Sequence, residues 1–116
     1  MKRAIAVVII LGMFLSGAVF AERWSDEKAR AWAEKQPWLV GCNYLPVNAI
    51  NQIEMWQAST FDPETIDEEL ELAESLGFNT LRVYLHDLVW RHERESFCRR
   101  IDRFLDICQD HGIRPM

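Results

Sequence analysis

Long apolar runs, clustered cations and metal-type cysteine spacing are all missing from this sequence. Its main apolar run, Ala4 to Leu15, falls short of the roughly 20 residues that a bilayer-spanning helix needs. Acidic residues outnumber basic ones, 18 to 13, for a formal net charge of −5. Phosphate binding needs clustered Lys and Arg, so nucleic acid is not expected as a partner. No two of the three cysteines have zinc-ligand spacing, and neither His86 nor His92 has a partner at ligand distance in sequence. No metal and no cofactor are therefore expected, and there is no low-complexity segment.

What is present begins with a leader. Lys2 and Arg3 precede the apolar run, and small residues follow at Ser16, Gly17, Ala18 and Ala21. A basic start, a short apolar core and a small-residue exit describe a secretory signal peptide over residues 1–21. Cleavage after Ala21 is preferred, with Ala18 as the second choice and an uncleaved N-terminal anchor as the alternative. The expected location is secreted or periplasmic, without stable membrane insertion after cleavage. In that oxidising setting three cysteines, Cys42, Cys98 and Cys108, leave an odd number. Cys98 and Cys108 share an expected helix, roughly 15 Å apart at 1.5 Å per residue, too far to bridge. They read as small buried apolar side chains, or as partners for a cysteine elsewhere.

From Glu22 onward the pattern is that of an α/β protein. Ser25 caps a helix over Asp26 to about Gln36, which Pro37 ends. Trp24, Ala31, Trp32 and Trp38 give it an apolar side, with the tryptophans read as docking residues. Leu39 to Tyr44 is short and nearly all apolar, as a buried parallel strand is. A connection of some 18 residues, Leu45 to Asp62, follows; loops this long between strand and helix tend to carry function. Ala49 to Trp56 within it has the makings of a short helix.

Asp62, Pro63 and Glu64 announce the next helix, and Gly77 closes it. Ile66, Leu70, Ala73 and Leu76 form its apolar stripe, while Asp67, Glu68, Glu71 and Glu74 form a solvated face. Thr80 to Leu85 is the second strand, with Leu81, Val83 and Leu85 on one side and Arg82, Tyr84 and His86 on the other. A last helix is expected from about Ser96 to His111, with Phe97, Ile101, Phe104, Leu105 and Cys108 inward. Gly112 ends it and Ile113 begins a third strand.

This rhythm of strand, loop, helix, strand, loop and helix fits the N-terminal part of a (β/α)8 TIM barrel, about two and a half βα units and incomplete. Residues 22–116 are then the front of a catalytic barrel that would continue beyond Met116. Active sites of such barrels lie at the C-terminal ends of the strands. Asn43 and Tyr44 end the first strand there, and His86 and Asp87 follow the second. His86 could donate to a sugar hydroxyl and Asp87 could accept from one; a plain loop histidine and a turn-forming aspartate are the alternatives. Arg82 carries a fixed charge that needs a partner, either backbone carbonyls or an active-site carboxylate that it holds ionised. Trp56 suits stacking on a pyranose ring or packing of the loop. Among carboxylates only Glu54, Asp87 and Glu93 fall near the rim, and nothing around them marks an acid or a nucleophile.

Three stretches, W-L-V-G-C-N-Y, A-I-N-Q-I-E-M-W-Q-A-S-T-F-D-P-E-T-I-D and L-G-F-N-T-L-R-V-Y-L-H-D-L-V-W, resemble exported bacterial glycoside hydrolases. These are the cellulase-like and endo-1,4-β-xylanase-like enzymes of the retaining (β/α)8 clan. The resemblance implies a polysaccharide or oligosaccharide substrate and an arginine, here Arg82, that supports the nucleophile. It also implies two catalytic glutamates at the ends of strands four and seven, beyond Met116. Asn43, Trp56, His86 and Asp87 would then be substrate contacts. The polypeptide by itself would not turn over. A non-catalytic carbohydrate-binding protein or a pseudo-enzyme is the alternative.

Overall fold

A computed structural model describes residues 23–116, so the expected signal peptide lies outside the described residues. The chain divides into two compact units at Gln36 and Pro37. In the first, α1 covers Asp26–Ala33. Ser25 accepts from the Lys28 amide at 3.3 Å, and Asp26 and Glu27 occupy the first turn, where negative charge is favoured. The helix ends three residues earlier than its pattern predicts. Trp24 and Trp32 meet edge to face at 6.2 Å, and both stay about half exposed. Trp38, expected to dock, is 87 % exposed.

The second unit is α/β. Its sheet has three parallel strands in the order β1 (Gly41–Asn43), β2 (Thr80–Arg82), β3 (Arg114–Pro115). The helices are α2 (Gln52–Trp56), α3 (Pro63–Ser75) and α4 (Asp87–Asp110). The strands are shorter than their apolar runs. Before β1 the side chain of Asn79 replaces ladder bonds: its Oδ1 accepts from the Val40 amide and its Nδ2 donates to the Trp38 carbonyl, each at 2.8 Å. Gly41 sits against β2 so closely that an added Cβ would lie 1.8 Å from the Thr80 carbonyl oxygen. Only glycine allows this pairing.

One core holds the unit together. Ile66 and Leu70 of α3, Phe97, Phe104, Ile107 and Cys108 of α4, Met55 and Trp56 of α2, and Leu81 of β2 are all buried in it. Ile66 and Leu70 realise the expected stripe, but Leu76 is 65 % exposed and Leu105 of α4 is 44 % exposed. Asp62 caps α3 by accepting from the Thr65 hydroxyl at 2.7 Å and from the Thr65 amide at 3.1 Å, and these bonds, the hydroxyl's first, hold its carboxyl below the ordinary value. Gly77 and Gly112 take φ of +82° and +66° at equivalent helix-to-strand corners, conformations that favour glycine.

The largest difference from the sequence pattern is the start of α4. It begins at Asp87, not near Ser96, and breaks at Glu93, whose φ and ψ are −135° and 31°. At its far end Ile113 donates to the Cys108 carbonyl at 2.8 Å, while Arg114 and Met116 donate to Asn79 and Leu81. The cysteines are free; Cys42 is exposed, Cys98 half-buried and Cys108 buried, its thiol pushed up to about 12 by burial. Among the described residues no helix is long and apolar enough to cross a membrane.

Candidate functional site

The C-terminal ends of β1 and β2 bring Asn43 and Arg82 together. They are direct register partners, so both side chains leave the same face of the sheet. That face is opposite Leu81, whose side chain enters the core. Arg82 is exposed and lies over the Tyr84 ring, 4.7 Å from its centroid. No carboxylate among the described residues pairs with its guanidinium. The alternation expected along this segment is therefore real for Leu81, Arg82 and Tyr84. Leu85, expected on the covered side, is 60 % exposed.

His86 and Asp87 sit just past β2 with defined local tasks. His86 is the N-cap of α4, its Nδ1 accepting from the Leu88 amide at 3.2 Å. Asp87 is the first helical residue and pairs with Arg91 at 3.1 Å, four residues on. Accepting through Nδ1 leaves the other ring nitrogen of His86 as the one that can donate outward.

Trp56 does not fit a sugar-stacking role. It is 0 % exposed, with Phe61 stacked at 6.3 Å and Phe97 and Phe104 edge-on at 5.7 and 5.4 Å. Its ring N–H donates to the Tyr84 carbonyl at 2.8 Å. The indole thus fastens the long loop to the end of β2, and no ring face is left for a ligand.

The rim carboxylates are also occupied by the fold. Glu54 accepts from the Ile50 amide at 2.7 Å. Glu93 accepts from the Ala58 amide at 3.0 Å and from Arg100 Nη2 at 2.5 Å. Arg100 Nε donates in turn to the Trp56 carbonyl. This bridge ties the β1–α3 loop to the break in α4. A second tie joins Tyr44 and Val47 to Glu69 of α3: the Tyr44 hydroxyl donates to Oε2 at 2.8 Å and the Val47 amide to Oε1 at 3.0 Å. Burial first, and then the Glu69 carboxylate, push the Tyr44 phenol far above its ordinary value.

Neither bridge was visible as a motif. Glu69 carries a faint signal, three residues from Ile66 and so beside the apolar stripe, apart from the solvated acids of α3. No cluster of three or more His, Cys, Asp or Glu among the described residues is arranged to hold a metal. Asn43 and Arg82 together can hydrogen-bond neutral hydroxyls and oppose a negative charge, and the second ring nitrogen of His86 can make a hydrogen bond of its own. Comparison with protein-family models, with curated proteins and with solved structures finds no match for the chain.

Proposed function

We propose that this chain supplies the first strands of a (β/α)8 barrel belonging to a secreted glycoside hydrolase that cleaves β-linked polysaccharide with retention. The supporting observation is the sheet itself. Three parallel strands lie in sequential order with their helices sharing one core, as the opening strands of a barrel do, an order that the first half of a doubly wound sheet shares. Asn43 and Arg82 lie in register on the other face, which in a barrel is the lumen. There Asn43, His86 and Asp87 contact sugar hydroxyls, and Arg82 supports a nucleophilic carboxylate supplied by a further strand. One glutamate of that complete enzyme protonates the leaving oxygen, and a second forms the glycosyl-enzyme.

A second reading is favoured by one observation. Glu54, Asp87 and Glu93, the carboxylates that fall near the rim, are all engaged by neighbours within the fold. On that reading the chain binds carbohydrate without cleaving it. Both readings make the same rim the ligand surface.

The test is an NMR titration of the 15N-labelled chain with cellohexaose and with xylohexaose, alongside a reducing-sugar assay. Shifts at the amides of Asn43, Arg82, His86 and Asp87, weakened in Asn43→Ala and Arg82→Ala, with affinity on the order of 1 mM, are expected without sugar release. Ligand that leaves those amides unmoved would overturn the site. Sugar release by the chain would overturn its assignment as catalytically incomplete.

A further inference from the structure

The corner between α4 and β3 carries a side-chain cluster remote in sequence from the rim residues. His111 is the C-cap of α4, and its ring lies between two carboxylates of α3. Nε2 is 2.8 Å from Asp67 Oδ1 and Nδ1 is 2.9 Å from Glu74 Oε2. The imidazole is mostly buried, with 15 % of its side chain exposed, while the two acids are more than half exposed.

A neutral imidazole has one N–H and one acceptor nitrogen, whereas a carboxylate only accepts. Two carboxylates at hydrogen-bond distance from both ring nitrogens can therefore be satisfied together only by the imidazolium. The helix end adds to this, because a cation at a C-terminus is favoured by the helix dipole. Geometry and position select the same protonation state.

We propose that His111 is a proton-operated latch that fastens α3 to the α4–β3 corner when protonated and releases it when it loses its proton. On deprotonation one of the two nitrogens becomes an acceptor facing a carboxylate, lone pair against lone pair. That contact turns repulsive and one acid swings to solvent, which both are exposed enough to do. The other charged groups nearby do not replace it. Glu71 lies between Asp67 and Glu74 in the α3 spacing and Asp110 adjoins His111, so both add negative charge that favours the imidazolium. Arg114, three residues beyond His111, carries a guanidinium and so adds positive charge to this corner. Cys108, one turn earlier on α4, stays a neutral thiol.

The sign is fixed by the same contacts. Hydrogen bonds to Asp67 and then to Glu74 raise the His111 pKa above its unfolded value. Stability from the latch is therefore complete below the ordinary histidine value, and is lost as pH rises through the higher folded value. An exported protein with such a latch holds this corner most firmly in mildly acidic surroundings.

The experiment follows the imidazole resonances of the full chain by NMR from pH 5 to 9, with His111→Gln for assignment. A His111 midpoint above the ordinary histidine range is expected, together with 15N shifts of a doubly protonated ring at the acidic end. In Asp67→Asn/Glu74→Gln the midpoint should move down. Both substitutions are at exposed positions and keep side-chain size, and each single variant gives a second reading. A midpoint at the ordinary value, or a raised one that the double variant leaves unmoved, would overturn the latch. Loss of the fall in Tm between pH 6 and 9 in His111→Gln, a fall on the order of 5 °C in the parent, is the independent check.

Discussion

Gly41 shows how tightly a single position can constrain this fold. Its backbone approaches β2 so closely that a methyl group would overlap the Thr80 carbonyl, and backbone yields less readily than a side-chain tip. Gly41→Ala should therefore cost about 3 kcal/mol or more, as overpacked sites do, read as a fall in the urea midpoint. Tyr44 makes the opposite kind of contact, polar and directional. Tyr44→Phe keeps the ring stacked near Phe104, 6.3 Å away, but removes the donor to Glu69. A loss of about 1 kcal/mol is expected in the same assay, with the Val47 amide still bound. At this scale sequence was a poor guide to purpose. Trp56 was equally suited to sugar and to core, because side-chain chemistry does not say which way a loop turns. Its burial depends on Phe61, Phe97 and Phe104, which only the folded chain assembles. Asn43 and Arg82, by contrast, could be placed on one rim from strand period alone.

Elements were legible where they carry their own end signals. The α3 helix has a cap, a first-turn proline and a closing glycine, and it forms between them. The first turns of α4 lack such a pattern, because charged residues fill Arg91 to Glu95 and only Val89 is buried. The His86 cap and the Asp87–Arg91 pair support that segment, and the Glu93–Arg100 bridge sits at its break; none of these has a sequence period. The bridge has a local consequence. In Arg100→Met the Glu93 carboxylate loses its cation, and the Ala58 amide that donates to it should exchange hydrogen several-fold faster, while amides of α3 keep their protection. Exchange measured by NMR decides this, and unchanged protection at Ala58 would mean that Arg100 does not hold this part of the loop. Asp62 sets an acid limit at the other end of the loop. Its carboxyl is held low by Thr65, so its contribution is present above the unfolded carboxylate value and is lost as pH falls through the folded one. Asp62→Asn should flatten that acid limb of the thermal stability curve.

For the second unit as a whole, the order of strands and helices followed from sequence, but the extent of coverage did not. Val47, Ile50, Leu72, Leu76, Leu85 and Met116 are each at least 60 % exposed, and β1 and β3 each have one edge unpaired among the described residues. Periodicity marks which side chains want burial and is silent on whether a neighbour arrives to bury them. A chain with this much open apolar surface should bind the dye ANS and associate with rising concentration. Sedimentation velocity showing a monomer that binds no dye would refute that expectation. The β3 edge adds a rule of its own. Along a parallel strand alternate amides point to opposite neighbours, so those of Arg114 and Met116 serve β2 and those of Ile113 and Pro115 would serve the outside. Ile113 spends its hydrogen on the Cys108 carbonyl, and proline has none. Over Ile113 to Met116 the outer edge of β3 thus offers acceptors without a donor. Two copies of this stretch cannot zip to each other, and a strand that pairs with it must bring the hydrogens itself.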